Sequence, residues 1–387
     1  MKKVCVITGT RAEYGLLYWT LRALKKEPTI ELQICATGMH LSPEFGLTYQ
    51  QIEADGFTID YKVETLLSSD TGSAIAKSIG MGTIGFADAL SFLKPDIVLL
   101  LGDRYEILAA ATASMSLLIP IAHCHGGEAT EGVIDESIRH SITKMSHLHF
   151  TATDSFKKKV IQLGEQPENV FNFGALGIEN INRMKFLKKN EIEQNLKFLF
   201  LSKNYLVTFH PETLEKESME IRFGQVLLAL EELINPETLF IFTMPNADND
   251  GRVIIKMINE FVNNHPNNSV VFTSMGQINY LSTLKYIDAV IGNSSSGLIE
   301  VPSFNIPSIN IGDRQRGRIM AESVINCPVD KNQIKFAVQK ANNKEFMQKI
   351  TKLKNPYGTK NVSDKIVDIL KKTSLSEILK KKFYDLC

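Results

Sequence analysis

The sequence predicts an α/β protein with two domains, each built around a parallel β-sheet. Apolar runs typical of strands alternate with segments whose apolar residues recur at helical spacing, which is the pattern of β-α-β units. Several runs are continuously apolar instead of alternating, as expected for strands that a parallel sheet buries on both faces. A length of 387 residues also exceeds one typical core and favours two domains.

The predicted elements form two series along the chain. The first series has strands at residues 3–8, 31–37, 97–101, 119–123 and 148–151, with helices at residues 14–26 and 105–117. The second series has strands at residues 205–209, 239–243, 269–273, 289–291 and 308–311. A Lys- and Asn-rich stretch separates the two series, and we place a linker at residues 177–201.

These series predict the domain boundaries. We expect a first Rossmann-like domain at residues 1–180, a second at residues 200–361 and a C-terminal helix at residues 362–387. The Lys-rich pattern of that helix favours a solvated amphipathic helix, with docking onto the first domain as the alternative. Two such domains would enclose a cleft between their strand ends, and interdomain clefts are favoured ligand sites.

Composition narrows the class of protein. The 43 acidic and 43 basic residues cancel, so no global field would attract nucleic acid or an anionic membrane. Five cysteines are scattered without a CxxC pair, which fits a reducing compartment better than a disulfide framework or a zinc site. The apolar run near the start is too short for a signal peptide. We therefore expect a cytoplasmic protein without a membrane span.

Polar clusters follow several of the predicted strands, where ligands bind in open α/β sheets. They are GTRAEYG (9–15), GDRYE (102–106), HCHGGE (123–128), DESIRH (135–140), FHPE (209–212) and GNSSSGLIE (292–300). Arg side chains and Ser/Gly runs bind phosphate, whereas carboxylates and imidazoles move protons. Their combination predicts an enzyme that acts on a nucleotide-linked substrate.

The first two clusters of the first domain offer three candidate site residues, one of them an acid and two of them cations. Arg11 lies at a predicted helix start, where it could meet a phosphate or serve as a structural ion-pair partner. Asp103 and Arg104 are adjacent at a strand end, so one could face the ligand's reacting centre while the other binds the ligand or braces the domain.

The next two clusters offer proton carriers. His123, His125 and Glu128 are all possible zinc ligands, but no HExxH helix accompanies them, so an acid or base role for Glu128 is favoured over metal binding. Asp135 and Arg139 are four residues apart and share a helical face, which is also the spacing of an ordinary surface ion pair.

The second domain offers groups that suit an anion. His210 ends a strand and could donate to a phosphate. A Ser/Gly run supplies hydroxyl and N–H groups at a helix start, and anion binding is favoured over a serine hydrolase because no His is nearby. Glu300 is predicted in the first turn of that helix, placed to accept ribose hydroxyls, and Arg314 belongs to the basic stretch GDRQRGR. The residues of the run are Asn293, Ser294, Ser295 and Ser296.

The ordered set of motifs resembles the UDP-N-acetylglucosamine 2-epimerase family, and most closely its hydrolysing bacterial branch, which feeds sialic acid and related nonulosonate synthesis. The motifs are TRAEYG, TGMH, GDRYE, HGGE, DESIRHSITKMSH, HPET, GNSSSGLIEVPS and GDRQRGR, and they cover the chain from residue 9 to about residue 317. The resemblance implies a GT-B-like pair of Rossmann-type domains with a nucleotide in the cleft.

The resemblance also implies roles for individual residues. Positions associated with catalysis match Asp103, Glu128 and Asp135, with Arg139 in support. Positions associated with the nucleotide diphosphate match Arg11, Arg104, His210, Ser294, Ser295, Glu300 and Arg314. Non-hydrolysing relatives carry a Glu where this chain has His125, so either His125 or Glu128 could perform that residue's work.

The reaction that the resemblance implies is hydrolysis with inversion at carbon 2 of a nucleotide-linked 2-acetamido sugar. Loop sequences resemble members that act on nucleotide-linked N,N'-diacetylbacillosamine in place of UDP-N-acetylglucosamine, with UDP or GDP as carrier. No cofactor or metal is expected, and we expect a homo-oligomer, a dimer or a tetramer. A GT-B glycosyltransferase is the main alternative, and a non-catalytic nucleotide-sugar sensor is a distant one.

Overall fold

The computed structural model describes residues 1–67, 69, 71–245, 250–358 and 361–386. The chain divides into two compact units. Unit 1 comprises residues 1–128, 134–180 and 357–387, and unit 2 comprises residues 129–133 and 181–356. The stretch interpreted as a linker holds two helices, Leu176–Arg183 and Lys189–Leu196, so the Lys- and Asn-rich composition marks exposed helical surface.

The sheet of unit 1 has seven parallel strands within the described residues, in the order β3-β2-β1-β4-β5-β6-β7. The strands are β1 Lys2–Thr8, β2 Ile30–Thr37, β3 Tyr61–Val63, β4 Ile97–Leu101, β5 Ile121–Cys124, β6 Leu148–Thr151 and β7 Val170–Asn172. The helices along this part of the chain are α1 Arg11–Lys26, α2 Tyr49–Ala54, α3 Gly72–Leu93, α4 Tyr105–Ser116, α5 Asp135–Met145, α6 Asp154–Gln162 and α7 Leu176–Arg183.

The sheet of unit 2 has six parallel strands among the described residues, in the order β10-β9-β8-β11-β12-β13. They are β8 Lys203–Thr208, β9 Thr238–Thr243, β10 Ser269–Phe272, β11 Ala289–Gly292, β12 Ser308–Ile311 and β13 Val324–Cys327. The helices are α8 Lys189–Leu196, α9 Met219–Glu231, α10 Gly251–Asn264, α11 Gln277–Thr283, α12 Ser296–Ile299, α13 Lys331–Ala341 and α14 Lys344–Ile350.

Burial on both faces explains the continuous apolar runs. In β1, Val4 and Val6 pack with Leu17 of α1 in one core, whereas Cys5 packs with Phe86 of α3 in a second core on the opposite face. Because successive strand residues point to opposite faces, a strand with helices on both sides needs an apolar residue at every position. The predicted parallel α/β class is therefore confirmed.

The last helix, α15 Val362–Lys372, docks onto unit 1. Its Val362, Ile366 and Leu370 are buried in the core that also contains α1, and the Thr20 and Ser363 hydroxyls lie 3.0 Å apart. The solvated interpretation is therefore wrong and the docking alternative is correct. The Lys residues occupy the outer face while the apolar stripe faces the core. None of the helices in the described part of the chain combines the length and apolar composition that crossing a bilayer requires.

The segment after α15 ends in a buried ion network. Glu165, only 2% exposed, accepts hydrogen bonds from Lys381 Nζ at 2.9 Å, Lys144 Nζ at 2.6 Å and His149 Nε2 at 3.0 Å. Burial raises the pKa of Glu165, but these three donors outweigh burial and lower it to about 2. The ionised form of Glu165 is therefore favoured more strongly in the folded protein than in the unfolded chain, where the pKa of this group is about 4.5.

Replacing Glu165 by Gln is expected to lower the free energy of unfolding at pH 7 by about 3 kcal/mol, since it removes one partner of a buried network. A depressed folded pKa adds stability that is complete above pH 4.5 and is lost as the pH falls toward 2. The Gln variant should therefore lose less stability over that range in urea titrations. As a control, Lys380→Ala should change stability by less than about 0.5 kcal/mol, because Lys380 is 79% exposed. An unchanged acid dependence would contradict this account.

Candidate active site

The candidate proton carriers of unit 1 follow the carboxyl ends of two neighbouring strands. Strand β4 pairs with β5, with Leu101 opposite Cys124 at their carboxyl ends. Asp103 comes two residues after β4 and His125 comes directly after β5. The sheet thus brings together two clusters that are about twenty residues apart in the sequence.

A buried arginine fixes the Asp103 carboxylate. Arg139 on α5 is 1% exposed; its Nε donates to Asp103 Oδ2 at 2.9 Å, and its Nη2 contacts the same oxygen. Its Nη1 donates to Glu136 Oε2 at 2.7 Å and to the Glu128 carbonyl at 2.9 Å. Burial acts to lower the pKa of Arg139, but the Asp103 and Glu128 charges outweigh it, so the pKa lies above its ordinary value. Asp103 keeps 21% of its side chain exposed and so stays accessible to a ligand.

His125 and Glu128 form a hydrogen-bonded pair. His125 Nδ1 lies 2.9 Å from Glu128 Oε1, and His125 Nε2 accepts a hydrogen bond from the Leu176 N–H at 3.4 Å. Because Nε2 accepts, the proton of a neutral His125 lies on Nδ1 and is donated to Glu128. His125 has a left-handed φ of 66°, a conformation that a non-Gly residue rarely adopts, and its N–H is held by the Phe150 carbonyl at 2.8 Å. The pair can pass a proton between an imidazole and a carboxylate.

His123 has a different environment from this pair. Its Nε2 donates to the Gly102 carbonyl at 2.7 Å and its Nδ1 lies 3.2 Å from the Thr143 hydroxyl. Burial lowers the pKa of His123 to about 3, so this imidazole is neutral. Among the described residues, no group of three His, Cys, Asp or Glu side chains is arranged to hold a metal ion. The geometry therefore links His125 to Glu128 and leaves His123 bracing the strand ends.

Helix α5 supplies two adjacent acids. Asp135 is its first residue, and Glu136 accepts from Arg139 at 2.7 Å and from His140 Nε2 at 2.9 Å. The alternative of a surface ion pair for Arg139 is wrong, because Arg139 is buried and bound to Asp103. Sequence reasoning missed Glu136, although its spacing of three residues from Arg139 was an available signal.

Arg11 and Arg104 follow neighbouring strands, since β1 pairs with β4. Arg11 is the first residue of α1, three positions earlier than the predicted helix start, because Thr10 caps the helix with Glu13 in a capping box. Arg104 precedes α4, and its Nε donates to Glu106 Oε1 at 2.8 Å. Both cations therefore lie at the carboxyl edge of the unit 1 sheet.

In unit 2, His210 and Asn293 hold each other in place. The His210 N–H donates to Asn293 Oδ1 at 2.7 Å, and Asn293 Nδ2 donates to the His210 carbonyl at 2.9 Å. They follow β8 and β11, which pair with Thr208 opposite Gly292. The fully buried Asn293 amide thus orients the loop that carries His210.

The Ser/Gly run surrounds a helix of a single turn. Ser294 and Ser295 lie partly exposed before α12, and Ser296 begins it, with its hydroxyl accepting from Tyr280 Oη at 2.8 Å. Glu300 was predicted in the first turn, but it lies just after Ile299, where α12 ends. The helix is short because a 3₁₀ turn over Val301–Phe304, with Pro near its start, replaces it.

Arg314 is held by hydrogen bonds from its backbone N–H and from its guanidinium. Its N–H donates to Glu212 Oε1 at 2.9 Å and its Nη1 to the Asn293 carbonyl at 3.3 Å. Its Nε is buried and makes no hydrogen bond within the described ranges. Glu212 also pairs with Arg222 and packs against Gly312, where a Cβ would lie 2.3 Å from Glu212 Oε1. Sequence reasoning missed Glu212, because its role depends on contacts with a loop 100 residues away.

Comparison with known proteins decides the family. The family model described as UDP-N-acetylglucosamine 2-epimerase matches residues 22–371. A Campylobacter jejuni protein named GDP/UDP-N,N'-diacetylbacillosamine 2-epimerase (hydrolyzing) is 42% identical, covering 100% of this chain and 99% of the relative. A Legionella pneumophila protein named UDP-N,N'-diacetylbacillosamine 2-epimerase (hydrolyzing) is 37% identical, covering 98% and 99%.

This chain belongs to the UDP-N-acetylglucosamine 2-epimerase family. A crystal structure of the UDP-GlcNAc 2-epimerase from Neisseria meningitidis bound to UDP-GlcNAc shares the fold, with a TM-score of 0.79 at 22% identity over 96% of this chain and 100% of that chain. The predicted GT-B-like class with two Rossmann-type units is thereby confirmed. As a member of the 2-epimerase family the protein is an enzyme, and the glycosyltransferase alternative is not favoured.

Proposed function

We propose that this 2-epimerase family member hydrolyses a nucleotide-linked 2-acetamido sugar and inverts its carbon 2. The products are the nucleoside diphosphate and a free manno-configured sugar. One observation carries the proposal: Arg139 binds the Asp103 carboxylate and the Glu128 backbone, and so holds both candidate proton carriers at the ends of neighbouring strands. Inversion requires proton removal from one face of carbon 2 and delivery to the other, so a single acid would not suffice.

The proposed reaction has two steps. A base removes the proton from carbon 2 while the bond between carbon 1 and the diphosphate oxygen breaks, and the oxygen leaves with the electron pair. The intermediate is a 2-acetamidoglycal with a double bond between these carbons. Water then adds its hydroxyl to carbon 1, and an acid protonates carbon 2 on the opposite face. Atoms and electrons balance without an oxidant or a reductant.

We assign the proton transfers to unit 1. Asp103 is the more exposed carboxylate, and Arg139 keeps its oxygens oriented. The His125–Glu128 pair is a second carrier, in which a proton can pass between His125 Nδ1 and the Glu128 carboxylate. Asp135 starts the helix that carries Arg139 and is the third proposed acid. The scheme does not assign these proton carriers to particular faces of carbon 2.

We propose that cationic and hydroxyl groups stabilise the leaving diphosphate. The carbon 2 proton is weakly acidic, so elimination needs an excellent leaving group whose charge is stabilised as it forms. In unit 2 the proposed contacts are His210, Ser294, Ser295 and Arg314, with Glu300 toward the ribose. In unit 1 they are Arg11 and Arg104. Asn293 orients the loop that carries His210, and Ser296, whose hydroxyl accepts a hydrogen bond from Tyr280 Oη, belongs to the same Ser/Gly run.

We propose N,N'-diacetylbacillosamine as the sugar, ahead of N-acetylglucosamine. The Campylobacter and Legionella relatives are both named for it and match this chain almost end to end. Their names differ in the nucleotide, GDP/UDP in one and UDP in the other, so both carriers remain in the proposal. The free sugar would feed nonulosonic acid synthesis, and a homo-oligomer stays our prediction for the assembly.

Product analysis without any acceptor tests this proposal. The enzyme is incubated separately with UDP-N,N'-diacetylbacillosamine, GDP-N,N'-diacetylbacillosamine and UDP-N-acetylglucosamine, and the products are identified by NMR. We expect nucleoside diphosphate and the free manno-configured sugar, formed fastest from a diacetylbacillosamine substrate. Turnover that appears only after a sugar acceptor is added would identify a transferase and contradict the proposal.

A further inference from the structure

Glu106 is a buried acid that the mechanism above does not use. It is the second residue of α4, and its side chain is fully buried. Its Oε1 accepts a hydrogen bond from Arg104 Nε at 2.8 Å, whereas its Oε2 is buried and makes no hydrogen bond with the residues that the structure describes. Burying a carboxylate is costly unless a charged partner compensates it, and Arg104 is that partner.

The backbone of unit 1 leaves space for this carboxylate. A Cβ at Gly9 would lie 2.7 Å from Glu106 Cγ and 2.8 Å from its Oε1. A Cβ at Gly38 would lie 3.2 Å from the same oxygen. Glu106 therefore lies directly against the loop that leads from β1 into α1, where Arg11 is located.

A second acid shares this environment. Glu13 Oε2 accepts from the Gly9 N–H at 2.7 Å and the Thr10 N–H at 3.3 Å, which fixes the same loop. Burial and the nearby charge of Glu106 raise the pKa of Glu13 to about 8. Of these two acids, Glu106 is the one that accepts a hydrogen bond from Arg104 Nε.

The bond to Nε determines how Arg104 is presented. A guanidinium is planar, so a hydrogen bond at Nε fixes the plane in which its Nη donors lie. The Arg104 side chain is only 10% exposed and is thus ordered before any ligand arrives. Preordering a cation reduces the entropy that is lost when it binds an anion.

We propose that Glu106 is a positioning residue that orients the Arg104 guanidinium for the diphosphate of the substrate. This inference rests on the proposed function, in which Arg104 is a diphosphate contact. Glu106 acts through Arg104 and touches neither the sugar nor the nucleotide. Gly9 belongs to the same arrangement, because a Cβ there would clash with the Glu106 side chain, and Gly38 leaves room beside the same carboxylate oxygen.

A double-mutant cycle tests the inference in the full-length enzyme, with UDP affinity measured by calorimetry and stability by thermal unfolding. Arg104→Ala is expected to weaken UDP binding on the order of tenfold to a hundredfold, and Glu106→Gln about tenfold. In the Arg104→Ala background, Glu106→Gln should cause no further loss. As a matched control, Glu179→Gln removes an equally buried acid of unit 1, which binds Ser363, and should leave UDP affinity unchanged.

Each other outcome overturns the inference. Equal losses from Glu106→Gln with and without Arg104 would mean that Glu106 acts independently, and no loss in the presence of Arg104 would mean that it does not position it. If Glu106→Gln does not fold, Glu106→Asp withdraws the carboxylate by one methylene and should weaken UDP binding only when Arg104 is present. If Arg104→Ala itself leaves UDP affinity unchanged, the diphosphate contact in the proposed function fails first, and the inference fails with it.

Discussion

Asp103→Asn is expected to lower kcat by about two to four decades, the usual effect of losing a general acid or base. The Asn side chain keeps the shape of Asp103 and an oxygen for Arg139, but it cannot take a proton. UDP affinity should stay close to that of the wild type, because a carboxylate does not hold a diphosphate. Stability must be measured alongside, since Arg139 is 1% exposed and loses its charged partner.

Two further carboxylate variants and one control variant are measured beside Asp103→Asn. Glu128→Gln and Asp135→Asn are expected to lower kcat over the same range. Asp96→Asn is the matched control, because Asp96 lies just before the amino end of the same strand β4, is exposed, and binds the Lys3 N–H at 2.7 Å. It should retain near wild-type kcat. Near wild-type rates for Asp103→Asn, Glu128→Gln and Asp135→Asn together would place the proton carriers elsewhere, with His125 as the leading candidate.

Arg314→Ala is expected to weaken UDP binding on the order of tenfold to a hundredfold, because each lost charge-assisted hydrogen bond contributes about 1.5–3 kcal/mol. Its guanidinium is already oriented by the hydrogen bond from Nη1 to the Asn293 carbonyl. His210→Ala should weaken UDP binding in the same direction. Calorimetric titration with UDP should therefore separate these variants from Asp103→Asn, which loses turnover while keeping affinity.

Arg316→Ala is the control for Arg314→Ala, because it removes a nearby positive charge that is not a proposed UDP contact. Arg316 lies two residues from Arg314, is 65% exposed, and pairs with Glu131 at 3.0 Å. Removing such an exposed cation by Arg316→Ala should change UDP affinity by less than about fivefold, since surface pairs contribute at most about 1 kcal/mol. UDP affinity that is unchanged in both Arg314→Ala and His210→Ala would place the nucleotide elsewhere.

The buried central strands and the edge strand β10 could be predicted from the sequence, whereas the other three edge strands could not. Central strands such as β1 and β4 are apolar at successive positions, because helices cover both faces. The missed strands are β3, β7 and β13, each three or four residues long and at or near a sheet edge. In β13, Val324 and Asn326 are not buried, so the run shows no continuous apolar signal. Short, half-exposed edges are specified by their neighbours more than by their own residues.

The candidate site was predictable in its residue types but not in its pairings. Polar clusters after strands identified Asp103, His125, Glu128 and Arg139, because parallel strands present their carboxyl ends at one edge. The pairing of Arg139 with Asp103 spans 36 residues and comes from the packing of α5 against α4 and β5, which the spacing within DESIRH does not reveal. Glu106 and Glu136 lie two and three residues from the arginines that they bind, so the missing information was the burial of those arginines and not the spacing. Glu212 was missed because it also binds the Arg314 N–H, which only the tertiary structure brings to it.

The most direct test of the account is the isotope content at carbon 2 of the released sugar. The enzyme is run in deuterated water with UDP-N,N'-diacetylbacillosamine, and the product is examined by NMR and mass spectrometry. Elimination through a glycal requires carbon 2 to be reprotonated from solvent or from a solvent-exchanged acid. We expect one deuteron at carbon 2 of the free manno-configured sugar. Released sugar that carries no deuterium at carbon 2 would contradict it.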